Sequence, residues 1–188
     1  EEKAASKREP EEKAASKKEA EEKANEATAK HKRLEEAAKA WKRMSREDKK
    51  KNGISLLADA KAGDGPGVAA LLSMGVSADY ADGDGWTALH YAAQDGKLEL
   101  VELLISFAAD PTLQIMLGEW GHTPLHYAAR NGHEEVCEAL VKADRKHKAL
   151  TIKNYQGKRA VDLATGTLRS YLKKAAKGEE EKAEPKKA

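Results

Sequence analysis

The chain has 188 residues, room for one or two ordinary domains, but 35% are charged and only 5% aromatic, which excludes one large globular core along its whole length. A formal net charge of +2 gives no general pull towards nucleic acid. The single cysteine, Cys137, excludes an intrachain disulfide, and no apolar run approaches the roughly 18–20 residues that span a bilayer.

An intracellular protein of a reducing compartment is therefore expected. The cytoplasm is favoured, and an organelle is the alternative, because the chain begins with Glu rather than Met, as a fragment or a processed form would. Charge divides the chain. Residues 1–51 hold 17 Lys/Arg against 13 Asp/Glu, residues 52–172 hold 11 against 15, and residues 173–188 hold 6 against 4. The division points to a basic arm over 1–48, a repeat domain over 49–175 and a charged tail over 176–188 that is expected to be disordered.

The arm opens with a ten-residue pattern, EEKAASKREP, EEKAASKKEA, EEKANEATAK. Its Ala, Glu and Lys are strong helix formers, and Glu9–Lys13 and Glu19–Lys23 are i,i+4 pairs in the favourable order. Pro10 places the start of the helix at about residue 11. Ala is the only apolar side chain in this stretch, so it reads as a solvated helix or a strut along a partner. Over 30–46 the pattern changes: Leu34, Ala37, Ala38, Trp41 and Met44 recur at helical spacing and form one apolar stripe among Lys and Arg. Leu34, Trp41 and Met44 are expected to dock, either on the first repeat as a cap or on a partner protein. Calmodulin or membrane-surface binding is a further reading of such a basic amphipathic helix.

The repeat domain announces itself by self-similarity. GWTALHYAAQDGKLELV at 85–101 and GHTPLHYAARNGHEEV at 121–136 are near copies, and GKRAVDLA at 157–164 is a weaker echo. Their first glycines, Gly85, Gly121 and Gly157, fall 36 residues apart, and a period of this size means stacked supersecondary units. Four units follow, at about 49–81, 82–117, 118–153 and 154–175. In the first, helices are expected at 54–62 and 66–74 around the turn GDGPG. In the second, a helix opens at Ala88, and Leu98, Val101, Leu104 and Ile105 mark a buried face on the next. Ile115-Met116-Leu117 then lengthens the unit. In the third, Val136, Cys137, Leu140 and Val141 line the second helix. In the fourth, Leu168, Tyr171 and Leu172 share one side of a helix over 167–175 that ends on Lys173 and Lys174, as a polar-faced terminal unit requires.

These residues resemble the ankyrin-repeat family over about 50–175. Gly121, Thr123, Pro124, Leu125, His126, Ala128, Ala129, Gly132, His133, Glu135 and Val136 match its motif. The second unit departs at Ala88 and Lys97, and the fourth at Arg159, Ala160 and Asp162. The resemblance implies an all-α helix-turn-helix solenoid, no characteristic enzymatic activity, and binding of proteins through finger loops and the first helix of each repeat. Carried over residue by residue, the family's contact positions are Asp84, Trp86, Gln94 and Asp95. They continue with Glu119, Trp120, His122, Arg130 and Asn131, and then Tyr155, Gln156 and Lys158. Ile115, Met116 and Leu117 are expected to add apolar surface beside Trp120. Aromatic residues on exposed loops suggest an interface, where Trp, Tyr and Arg dominate binding energy.

Other chemistry is weaker. His122 and His126 are four apart and HEEVC at 133–137 has the look of a metal box, but the histidines recur in register with His90 and read as scaffold. Cys137 lies on an apolar helix face and reads as a small buried hydrophobe. No metal, cofactor or small-molecule substrate is expected, and Glu mixed through the basic arm makes nucleic acid a poor partner. The function expected is a non-enzymatic protein–protein interaction module. The alternative is a peripheral subunit of a large assembly, anchored by the N-terminal helix.

Overall fold

The structure, a computed structural model, describes residues 28, 29, 32, 35–115, 121–144 and 148–183. Expectations for residues 1–27, for Leu34 and for Met116, Leu117, Glu119 and Trp120 lie outside the described residues.

Helix α1 covers 35–43 and ends where the Met44 amide bonds back to the Ala40 and Trp41 carbonyls. A new helix, α2, runs over Arg46–Ala62, with Ser45 as its N-cap. The Ser45 hydroxyl accepts from the Asp48 amide at 3.0 Å, satisfying one of the amides that a helix start leaves unpaired. The expected first helix of the repeat, 54–62, is therefore only the second half of the real one. The cap chemistry of Ser45 and Asp48 sets its start eight residues earlier, and the amphipathic segment 30–46 is broken at Met44–Ser45.

Four helix pairs follow. Helix α3 spans Gly65–Ser73 and completes the first repeat; α4, Ala88–Gln94, and α5, Leu98–Ser106, form the second. The third consists of α6, Pro124–Asn131, and α7, Glu134–Ala143. Helix α6 ends on Gly132, whose φ of 78° lies in the left-handed region where a side chain is strained, so the chain can turn back into α7. The lengthened connection after α7 is closed by Asp144, which accepts from the Ala149 amide at 2.6 Å at the head of α8, Lys148–Thr151. The fourth repeat pairs α9, Ala160–Leu163, with α10, Gly166–Ala183. Helix α10 runs on to Ala183, through Ala, Lys and Glu that favour helix, and the rest of the charged tail, 184–188, lies outside the described residues.

Each first helix packs on its neighbours, α4 on α2 and α6, and α9 on α6, and the second helices of the first three repeats pack in turn, α3 on α5 and α5 on α7. Equivalent positions build the shared core. Leu56, Leu89 and Leu125 are 0–1% exposed, as are Val68, Val101 and Cys137. Burying a side chain of this size contributes about 1.5–3 kcal/mol, so the stack is held mainly by this repeated apolar seam. Within α5, Leu100 is buried beside Val101 and Leu104, while Leu98 and Ile105, expected inside, are half-buried.

Candidate functional site

Between helix pairs the chain forms fingers, and two of them are built alike. In the second repeat the Asp82 amide bonds the Trp86 carbonyl at 3.0 Å, and Ala81 and Thr87 form a one-rung antiparallel bridge. The Asp82 carboxylate accepts from the amides of Asp84 and Trp86. In the fourth, Asn154 takes the same part. Its amide bonds the Lys158 carbonyl at 2.8 Å, and its Oδ1 accepts from the amides of Gln156 and Lys158. In the third finger Ile115 stands at the base, its amide bonding the His122 carbonyl at 3.0 Å, with more residues of the sequence between the two than in the other fingers.

This register corrects two expectations. Ile115 was expected to add exposed apolar surface, but as a finger-base residue it is only 3% exposed. His122 was expected on the outward face, but it is 2% exposed: Asn154 Nδ2 donates to its Nε2 at 2.9 Å, and its ring stacks on that of His126 at 5.3 Å. Register also separates Tyr155 from Trp86, since Trp86 shares its position with His122 and Lys158.

The repeated histidines tie repeat to repeat. His90 Nδ1 accepts from the Thr87 amide and hydroxyl at 3.3 and 2.9 Å, which leaves Nε2–H to donate to the His122 carbonyl at 3.3 Å. His126 repeats the pattern with Thr123, at 3.2 and 2.8 Å, and donates to the Lys158 carbonyl at 3.0 Å. Both rings must be neutral to make this set of bonds. Burial pushes His90 and His122 down to about 4 and lowers His126, against an ordinary value of about 6.5. Cys137 is fully buried, and burial pushes its thiol up to about 12, far from a reactive thiolate.

The remaining predicted contact residues face outward. Asp84, Gln94, Asp95, Arg130, Asn131, Gln156 and Lys158 are exposed, and Tyr155 is 57% exposed. Several are braced. Asn131 Nδ2 donates to the Gln94 carbonyl at 2.8 Å, and Lys97 pairs with Asp95 at 2.9 Å. The Tyr155 ring lies against the Gly121 backbone, where a Cβ would approach it to 2.5 Å, so only glycine admits this close packing.

Trp86 is half-buried, its ring 4.9 Å from Tyr91 and 4.7 Å from Tyr127. Tyr91 in turn donates to Asp82 Oδ2 at 2.8 Å. Burial alone would raise the Asp82 carboxyl, but bonds from Tyr91, Trp86 and Asp84 bring it below its ordinary range; burial and that same carboxylate push the Tyr91 phenol up. Half-buried Tyr91 and buried Tyr127 were missed as the aromatic neighbours of Trp86 because their exact repetition reads as scaffold. Their hydroxyls were the available signal, since an apolar core position does not call for one.

The N-terminal docking residues are partly placed. Trp41 is half-buried, edge-on to Tyr80 at 6.3 Å, with the Lys49 ammonium 5.7 Å from its ring. Met44 is half-buried, and Asn52 Nδ2 donates to its sulfur at 3.7 Å. No helix among the described residues is long and apolar enough to cross a membrane.

A family model described as ankyrin repeats, three copies, matches residues 56–154, more than half of the chain. With that match over the stacked helix pairs and their histidine ties, the chain belongs to the ankyrin-repeat family, whose domains serve in general as protein–protein interaction modules.

Proposed function

We propose that the domain is a non-enzymatic adaptor that captures a protein partner across its finger ends and the outward ends of α4 and α6. The observation that carries this reading is a division between buried and exposed positions. Residues shared between repeats are inside, while those that differ between them, Gln94 and Asp95 against Arg130 and Asn131, face solvent from equivalent places. Tyr155 adds a large aromatic surface on a braced loop, the kind of anchor that dominates interface energy. The test is affinity capture with the full chain and an Arg130→Ala/Tyr155→Ala double variant, read by mass spectrometry. A variant that melts with the wild type but fails to recover its partners supports the surface; unchanged recovery overturns it.

We read α1 as a cap on the first repeat. Trp41 and Met44 spend their apolar surface on Tyr80 and Asn52 of the same chain, which favours a cap over a free anchor in a larger assembly. Deleting residues 1–44 separates the readings: a cap costs stability and leaves capture intact, whereas an anchor abolishes membership of the complex.

A further inference from the structure

The face just described contains a cation already in place. The Lys61 ammonium, at the end of α2, stands 4.4 Å from the centroid of the Tyr91 ring. Tyr91 carries Trp86 stacked on it at 4.9 Å and the Asp82 carboxylate on its hydroxyl at 2.8 Å. The exposed Asp84 carboxylate follows on the same finger. An aromatic ring face with carboxylates at its edge attracts ammonium and guanidinium groups through the ring quadrupole and through charge. The surrounding charge has the same sense. From Asn52 to Ala129 the chain holds ten Asp/Glu and only two Lys/Arg, Lys61 and Lys97. Lys97 is engaged with Asp95 and with the Lys61 carbonyl. The acidic stretch thus has one cation on the aromatic shelf, and it sits on a flexible four-carbon stem.

We propose that this shelf receives a lysine or arginine side chain from a basic segment of the partner protein, which takes the place of Lys61 on Tyr91. The proposal rests on reading this face as the partner surface. Lys61 is a tethered stand-in: it shows what the shelf accepts, and it competes with the incoming side chain.

Competition gives the test its discrimination. The probe is a short fluorescein-labelled peptide of alternating Lys and Gly, titrated by fluorescence anisotropy with the full chain at low salt, beside an alternating Glu and Gly peptide. Lys61→Gln and Lys97→Gln remove the same charge from the same region, but only the first vacates the ring. The basic peptide is expected to bind Lys61→Gln about two- to fivefold more tightly than Lys97→Gln, the scale of one cation–π contact at an exposed site. Asp84→Asn is expected to weaken it. Equal affinities for the two lysine variants, or equal binding of the basic and acidic peptides, would overturn the proposal. So would self-association of the chain, seen by light scattering and lost in Asp84→Asn, because a second copy would then be the occupant. If the peptide results fail while the Arg130/Tyr155 double variant still loses its partners, the surface stands and only the basic occupant falls.

Discussion

His90, His122 and His126 sit within the same few ångströms of finger and helix, and each needs a neutral ring. The sign of their effect on stability follows. In the unfolded chain a histidine titrates near 6.5, whereas burial holds His90 and His122 near 4 in the folded one. Between these values the unfolded state binds more protons, so stability is full above about pH 6.5 and is lost as pH falls towards 4. Each buried ring contributes roughly 1–3 kcal/mol to that loss. Asp79, raised by burial, acts in the opposite sense, but only as pH approaches the carboxylate range. Urea unfolding at pH 7.5 and pH 5 is expected to show a clear fall in stability, and a flat profile would contradict the neutral-ring network. A second residue carries backbone strain. Ala108 has φ of 62°, a left-handed conformation that Gly75 adopts one repeat earlier at 95°. Ala108→Gly is expected to stabilise by about 0.5–1 kcal/mol, because the strain relieved exceeds the added freedom of the unfolded chain. A melting temperature raised by about 1–4 °C would register it, and an unchanged or lower one would show that the local structure absorbs the strain.

At the scale of elements, the contact between α1 and the first repeat depends on two places without a side chain. The Ala37 carbonyl packs where a Cβ on Gly75 would stand, and the Tyr80 ring covers Gly53 in the middle of α2. Alanine in a helix interior is ordinarily favoured over glycine by about 1 kcal/mol. In Gly53→Ala the new methyl would collide with a ring that also seats Trp41, and overpacking of that kind costs about 1–3 kcal/mol. The collision is expected to win, giving net destabilisation in chemical denaturation; a gain would mean that Tyr80 swings away freely and that the cap is loose. This interlock marks the limit of sequence reading. The helix pairs were legible because Leu56, Leu89 and Leu125 recur at the same place in units of 33 to 36 residues, and the apolar stripe of α1 was legible from its spacing. The start of α2 was hidden because Ser45 and Asp48 lie outside the repeated motif. The outward face was legible only in part. Exposure of His122, Ile115 and Trp86 depends on where the finger ladder places its base, and that is decided by hydrogen bonds across each finger, Asp82 to Trp86 and Ile115 to His122, between residues that the repeated motif does not pair.

Across the whole molecule, the stack makes stability a matter of neighbours. The apolar core is continuous from Leu56 to Leu172, but it is built between neighbours: α9 packs on α6 and α10, and α4 on α2 and α6. Stability in such an array is close to a sum of repeat and interface terms, so the loss of a contact is felt first by the repeat that makes it. The fourth repeat is the weakest link in this sense, since α9 is only four residues long, too short to hold itself as a helix. It is fixed by the Asp162 carboxylate on the Arg159 amide at 2.9 Å, by His126 on the Lys158 carbonyl, and by α10 behind it. Leu172 is the fully buried centre of that support, at 0% exposure. Leu172→Ala removes it and leaves a cavity, a loss of about 2–5 kcal/mol. Native-state hydrogen exchange is expected to show the amides of α9 and α10 opening much faster in this variant while those of α4 and α5 keep nearly all of their protection. The same change would then loosen Tyr155 and Lys158 at the far end of the partner surface without disturbing the Trp86–Tyr91 shelf. If protection instead falls equally from α2 to α10, the array unfolds as one unit, and the independence of the two ends of that surface is refuted.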